Sequence, residues 1–367
     1  MKEKNILIIT DNKGKLFNKY IGKKEEHKRG PVDIEKIEKN FREYGYKIIV
    51  ASLGELDLKR NYKDYFVLYT SSEARGGFYK EYIEDVLLRL NKDGAVLIPS
   101  FYFFRAHHNK IFQEMLRKQF GNSQLCTPDS FTIGDYEDAK SISNKLNYPI
   151  VVKMARGSGS SGVVLVKNSK QFQKDVYNMM KIEYKDFHDA KGFLIRNNYF
   201  IWICKEFVKK LLGMKKTNRQ SNIIASNPII VQEYIANLKG DYKVLFFSGH
   251  YYVLYRKNRD DDFRASGSGK FIFPSNLEDI DEILNYAEMV AEEINMPCIS
   301  MDIAQNEDGC FLIEYQCVYF GNYTMQFAEW YFERENEEWI KKNSGDCIED
   351  EYCRAIDEYI KKYKEDN

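Results

Sequence analysis

The chain has 367 residues, enough for a large core and for two or three domains. Lys and Arg total 55 and Asp and Glu total 55, so no global field favours nucleic acid or a membrane surface. Its seven cysteines are scattered with no C-x-x-C pair, its first apolar run is too short for a signal peptide, and no segment reaches the length of a membrane span; reduced thiols and a cytoplasmic location are expected.

The first third alternates strands and helices. Asn5 to Ile9 reads as a buried strand, and Val32 to Tyr44 as a helix opened by Pro31. Lys47–Ala51 and Tyr65–Tyr69 read as strands, Phe78–Leu90 as a helix, and Ala95–Ile98 as a further strand. Such alternation implies an open parallel sheet. Helices over Lys110–Gln119 and Asp135–Leu146 follow, then a strand carrying Lys153. Tyr199 to Gly213 is amphipathic and basic and reads as a docked helix. Ile229–Ile235 is a strand. Tyr242–Phe247 and His250–Arg256 form a hairpin about Ser248-Gly249. After a helix over Asp279–Ile294, Cys298–Ala304 and Cys310–Tyr315 form a second hairpin. The chain from Phe327 onward is charged and reads as mostly helical.

Between the Lys153 strand and the strand Val163–Val166 lies a glycine-serine loop: Gly157, Ser158, Gly159, Ser160, Ser161, Gly162. A lysine ammonium beside many free backbone N–H groups suits a polyphosphate. The glycines spell G-x-G-x-x-G, but a dinucleotide site needs a helix after that loop, and here a strand follows. A protein-kinase loop precedes its lysine, whereas this loop follows it. Ser266 to Lys270 hints at a Walker loop but lacks its first glycine and its Ser/Thr. On the residues alone, a phosphate-binding flap and a flexible hairpin without ligand stay open.

Gln232-Glu-Tyr-Ile-Ala-Asn-Leu-Lys-Gly-Asp241-Tyr-Lys, then Tyr255-Arg256 and Asp262-Phe-Arg264-Ala, stand in a specific order with the Lys153 strand. Together with Asp302 and Glu314-Tyr-Gln316, they resemble the ATP-grasp superfamily, in the branch of the glutamate ligase that modifies a ribosomal protein. The likeness covers roughly Lys110 to Gln316. It implies an α/β (α+β) ATP-grasp architecture: a parallel α/β sheet domain over 1–108, a small flap subdomain over 109–231 with an insertion at about 183–226, an antiparallel catalytic subdomain over 232–330, and a C-terminal helix over 331–367.

The resemblance also implies roles. Lys153 and Lys110 would meet ATP phosphates, and Gly157 to Gly162 would fold over them. Gln232, Glu233, Tyr234 and Ile235 would hold the adenine, and Asp241 the ribose. Asp302, Glu314 and Gln316 would bind one or two Mg²⁺ ions, with Mn²⁺ able to substitute. The family has Asn where Gln316 stands; the amide oxygen is kept on a longer arm. Arg256, Arg264 and Lys270 would face the transferring phosphoryl group, Arg264 being oriented by Asp262.

The activity implied is an ATP-dependent carboxylate–amine ligase acting through an acyl phosphate. A kinase that phosphorylates a hydroxyl or amide, and a non-catalytic nucleotide-binding partner protein, are the alternatives. The substrates would be small carboxylates and amines such as an amino acid or a sugar acid. No nucleic-acid partner and no stable membrane insertion are expected, and a homodimer is a family tendency. Ser71, Ser72 and Arg75 follow a strand at the carboxyl edge of the first sheet, where α/β sheets bind ligands, and are the candidates for a substrate carboxylate. An ordinary glycine loop is the other reading of that segment.

Overall fold

A computed structural model describes residues 4–16, 32–72, 77–107, 109–156, 162–180, 212, 227–260, 262–318, 321, 323–345 and 347–366. The chain divides into two units. One joins Met1–Pro128 to Ile235–Asn367, and the other is Asp129–Tyr234.

The first unit begins with four parallel strands: β1 Asn5–Thr10, β2 Lys47–Ser52, β3 Phe66–Tyr69 and β4 Val96–Ile98, in the order β2-β1-β3-β4. β1 and β3 are unbroken apolar runs because both sheet faces are covered. Ile6, Ile8, Phe66 and Leu68 point into one core, and Leu7, Ile9, Val67 and Tyr69 into another, as the period of two requires. Helix α1, Ile34–Glu43, starts at Asp33 rather than at a proline. The Asp33 side chain accepts from the Glu35 and Lys36 N–H groups, and Ile37 and Phe41, one turn apart, are buried. Helix α2, Phe78–Lys92, buries Ile83, Val86, Leu87 and Leu90 against the other face. Helices α3, Phe101–Ala106, and α4, Lys110–Arg117, follow β4. Arg117 is almost fully buried. It donates to Glu114 and to the Leu125 and Pro128 carbonyls, fixing the chain where it leaves this unit.

The second unit is a four-stranded antiparallel sheet: β5 Ser130–Ile133, β6 Ile150–Met154, β7 Val163–Val166 and β8 Ile229–Glu233, ordered β5-β8-β6-β7. Helices α5, Tyr136–Ile142, and α6, Ser169–Met180, bury Ala139, Phe172, Val176 and Met180 against it. Among the described residues, its core is built from residues 133–231 of this unit. Apart from Leu212, the basic stretch Tyr199–Gly213 and the 183–226 insertion lie outside the described residues.

The chain then returns to the first unit in a seven-stranded antiparallel sheet. It comprises β9 Gly240–Phe247, β10 His250–Lys257, β11 Phe271–Ile272, β12 Cys298–Asn306, β13 Gly309–Gln316, β14 Trp330–Glu335 and β15 Glu338–Asn343. The order is β13-β12-β9-β10-β14-β15, with β11 on β10. Helix α7, Asp281–Ile294, covers one face through Ile283, Leu284, Ala287 and Val290. A short helix α8 spans Tyr323–Phe327, and α9, Ile348–Asp366, packs on α1.

The C-terminal stretch corrects the helix expected over 331–367. Residues 330–343 form a β-hairpin, and the helix begins only at Ile348. Asn336 and Glu337 both take positive φ at the tight turn, while Phe332 and Trp339 bury apolar rings against α7. Charge on the exposed positions hid that alternation. Among the described residues, no helix is long and apolar enough to cross a membrane.

Candidate active site

The antiparallel sheet has one face that is apolar along its length. Tyr242, Val244, Phe246, Val253, Met301, Ile303 and Leu312 on it pack with α7. The opposite face changes character along the strands. Leu245, Phe247, Tyr252 and Cys298 join the core beneath the parallel sheet. Two to four residues further along the same strands, that face carries Asp241, Lys243, Arg256, Ser300 and Asp302. β13 adds Glu314 and Gln316, with Glu314 directly opposite Asp302 and Gln316 opposite Ser300. A bulge between Asp302 and Ile303 shifts the register beyond that pair.

Two carboxylates set opposite each other repel, and a cation sits on each. Asp302 Oδ2 is 2.8 Å from Arg256 Nη2, and its Oδ1 accepts from Lys243 Nζ at 3.4 Å. Lys243 Nζ also donates to Ser300 Oγ at 2.8 Å. Glu314 Oε2 accepts from Lys110 Nζ at 2.6 Å, and its Oε1 from Gln316 Nε2 at 3.1 Å. Arg256 is 5% exposed. It donates through Nε and Nη2 to both oxygens of Asp241, at 2.6 and 2.9 Å, so one guanidinium bridges two carboxylates.

Asp241 and Asp302 therefore titrate as a pair around Arg256. Burial pushes Asp241 up to about 6 against the pull of Arg256, and the Asp302 charge adds to the rise. Burial acts in the same sense on Asp302, but Arg256 and Lys243 outweigh it and hold that carboxyl below the usual range. Both carboxylates keep Arg256 charged despite its burial.

Arg264 and Lys270 lie beyond β10. Arg264 donates to both oxygens of Asp262, through Nε at 2.9 Å and Nη2 at 2.5 Å, and these bonds lower the Asp262 pKa. Lys270 Nζ meets Asp260 Oδ1 at 2.5 Å on an exposed turn. At the parallel sheet, Ser71 and Ser72 are both buried just past β3, and Arg75 lies outside the described residues.

In the second unit, Lys153 is the fourth residue of β6, opposite Val163 of β7, so the two strands form a hairpin about the glycine-serine loop. Gly162 closes it with φ of 73°. A Cβ there would lie 2.8 Å from the Met154 sulfur. Gly157, Ser158, Gly159, Ser160 and Ser161 lie outside the described residues. Gln232 is buried in the sheet centre, and Glu233 accepts from the Asp129 N–H at 3.1 Å. Tyr234 ends this unit and Ile235 opens the return to the first.

Residues 113–198 match the family model for the ATP-binding domain of the carbamoyl-phosphate synthase L chain. No curated protein matches. Among solved structures, D-cycloserine synthetase DcsG is similar along 96% of this chain and 99% of its own, with 14% identity and a TM-score of 0.50. The chain has the ATP-grasp fold. D-alanine–D-alanine ligase from Bacillus anthracis is also similar, with 14% identity over 86% of this chain and 87% of its own and a TM-score of 0.45. A RimK domain ATP-grasp protein from Sphaerobacter thermophilus has 10% identity over 86% of this chain and 92% of its own, with a TM-score of 0.43.

Lys243 and Ser300 complete this polar face, and neither was given a role from the sequence. The signal was there: Lys243 stands two residues after Asp241, and Ser300 two before Asp302, so each pair shares a face. Asp302, Glu314 and the Gln316 amide are hard oxygen donors of the kind Mg²⁺ takes. Among the described residues, no group of three or more His, Cys, Asp or Glu is gathered to hold a metal. A Mg²⁺ ion held by these donors would draw the rest of its shell from elsewhere.

Proposed function

We propose that this ATP-grasp chain is an ATP- and Mg²⁺-dependent ligase that joins a carboxylate to an amine. The γ-phosphoryl group of ATP passes to a carboxylate oxygen, giving an acyl phosphate and ADP. The amine nitrogen attacks the acyl carbon, phosphate leaves with the electrons of its C–O bond, and the nitrogen sheds its proton to give an amide. A small amino acid or sugar acid is the substrate class this chemistry suits.

The observation that carries this reading is the cross-strand pair Asp302–Glu314, two carboxylates banked by Lys243, Arg256 and Lys110. Arg256 and Lys243 keep Asp302 ionised at neutral pH, the state a cation ligand needs. Mg²⁺, when bound, would neutralise phosphate charge and orient the triphosphate. Arg264, pinned flat by Asp262, offers the planar contact that a transferring phosphoryl group takes. In the second unit, Lys153 at the end of an apolar strand has the chemistry of a phosphate partner. The Gly157–Gly162 segment would supply backbone N–H groups and keep water from the acyl phosphate.

An ADP-release assay over amino acids and sugar acids, with mass spectrometry of the products, tests this. Glu314→Ala and Asp302→Asn should each lower turnover by about 10²-fold or more. Undiminished turnover in both would sink the assignment. A stable phosphorylated product in place of an amide would make the chain a kinase.

A further inference from the structure

Helices α1 and α9 are remote in sequence, yet their first turns meet at one polar corner. Cys347 stands just before α9, and its carbonyl accepts the Glu351 N–H at 3.1 Å, so the helix itself fixes its place. Lys36 lies in the first turn of α1. Its Nζ donates to Cys347 Sγ at 2.8 Å and to Asp350 Oδ2 at 2.9 Å. Cys347 Sγ donates to that same Asp350 oxygen at 3.1 Å, and Asn40 Nδ2 holds the other one at 2.8 Å. A backbone tie, from the Asp33 N–H to Glu349 Oε1 at 2.9 Å, joins the same two helix starts.

The amine and the thiol are therefore held together from both sides. Their separation is the span of an ordinary N–H···O bond, although sulfur is the larger atom. Peroxide has access, because Cys347 is half-buried and the Lys36 side chain is 40% exposed. Cys353, the other cysteine of α9, is fully buried and faces the Ile37 carbonyl instead. Burial raises the Cys347 pKa and the Lys36 hydrogen bond works against it, so oxidation of this thiol is slow. Asp350 first, and Cys347 second, hold the Lys36 ammonium charged beyond the ordinary lysine range, so alkaline pH favours the free amine.

We propose that Lys36 and Cys347 form a redox modification site, closed by peroxide into a covalent S–N bridge that staples α1 to α9. The Cys347 sulfur attacks hydrogen peroxide. An S–O bond forms, the O–O bond breaks, and water leaves; sulfur loses two electrons and peroxide gains them. The Lys36 nitrogen then attacks that sulfur with its lone pair. The S–O bond breaks and hydroxide takes its electrons. The ammonium gives one proton to that hydroxide and one to solvent, leaving a sulfenamide and a second water. A thiol reductant reverses the bridge by attacking the sulfur and returning the amine. In the fold, α9 carries Tyr352, Ile356 and Ile360 into the core beneath the parallel sheet, where α1 adds Ile37 and Phe41. The bridge would close a loop between residues 311 apart and stabilise the first unit through its unfolded state. It uses no nucleotide or metal residue and does not rest on the ligase reading.

The test is peptide mapping by mass spectrometry of the full chain, treated with excess hydrogen peroxide at alkaline pH and digested without reductant. The expected product is a pair of peptides joined through Lys36 and Cys347, lighter than the separate peptides by two hydrogens. Dithiothreitol should release both with Lys36 unmodified, and dimedone added with the peroxide should cap Cys347 and suppress the bridge. Compared with Cys347→Ser treated alike, the oxidised wild type should melt about 5 °C higher and lose that gain on reduction. Lys36→Arg keeps the cation but replaces the amine with a guanidinium that stays protonated, so its Cys347 should remain a dimedone-reactive sulfenic acid. The inference is overturned if Cys347 passes to a sulfinic acid or a disulfide with no bridge. It is equally overturned if Cys347 stays reduced while other thiols react, or if Lys36→Arg gains the same rise in melting temperature.

Discussion

Arg256 holds the most consequential single position in the first unit. It is a buried cation shared by two buried carboxylates, so removing it leaves Asp241 and Asp302 facing each other with only Lys243 beside them. Arg256→Ala should cost about 3–5 kcal/mol of stability, read from the urea midpoint of the first unit's transition. Arg256→Lys should recover only part of this, because a point charge cannot serve both carboxylates with the guanidinium's fork. At the loop in the second unit, Gly162→Ala should cost roughly 1–2 kcal/mol, because the residue sits at positive φ with the Met154 side chain against it. A melt of Gly162→Ala that matches the wild type would mean that the hairpin relaxes there. At this scale much of the site was legible. Lysine, arginine and carboxylates at strand positions flanked by apolar residues are expensive unless they meet one another or an ion.

Among elements, α9 is anchored by charge as well as by its apolar face. His250, at the start of β10, contacts Glu351 through Nδ1 at 2.7 Å and Glu333 through Nε2 at 3.1 Å. Arg354 donates to Glu351 and to the Ser248 and Phe247 carbonyls at the β9–β10 turn. Burial would raise the Glu351 pKa, but the hydrogen bonds from His250 and Arg354 outweigh it and lower it. A lowered carboxyl pKa stabilises the fold above the ordinary glutamate value, near 4.3, and that stability is lost as pH falls through the folded value. Glu351→Gln should therefore cost roughly 1–3 kcal/mol at neutral pH. It should also flatten the acid limb of the stability curve below about pH 4.3. An acid limb as steep as in the wild type would show that the slope comes from other carboxyls. Element types were mostly readable, because apolar periods of two and of three to four persist through the first sheet, α7 and the β12–β13 hairpin. They failed over residues 330–343, where lysine and glutamate on exposed positions mask the buried Phe332 and Trp339.

For the whole molecule, the two units keep separate cores. Phe172, Val152 and Val231 belong to one, and Val290, Ile299 and Leu312 to another. Each should therefore lose stability on its own account. Phe172→Ala should cost about 3–5 kcal/mol within the second unit. By hydrogen exchange, it should lower protection in β6 and β8 and leave β9 and β12 unchanged. Loss of protection in β12 to the same degree would mean that the units unfold as one. The four residues that end the first segment of the first unit are tied to Arg117 through the Leu125 and Pro128 carbonyls, so the division at Pro128 is fixed from one side by a buried guanidinium.

By itself the sequence determined the alternation of strands and helices, the glycine-serine loop as a hairpin rather than a strand-to-helix turn, and the carriers of charge within apolar strands. These are local properties, set by side-chain period and by what a buried charge costs. The β12–β13 hairpin legible in the sequence already brought Asp302 and Glu314 to one place; tertiary structure decided which cations bank them. The order of strands put Lys243 and Arg256 beside Asp302. Pairing between strands far apart in sequence carries no local signature, because a shift of one residue would leave every strand intact and turn every one of these groups to the other face.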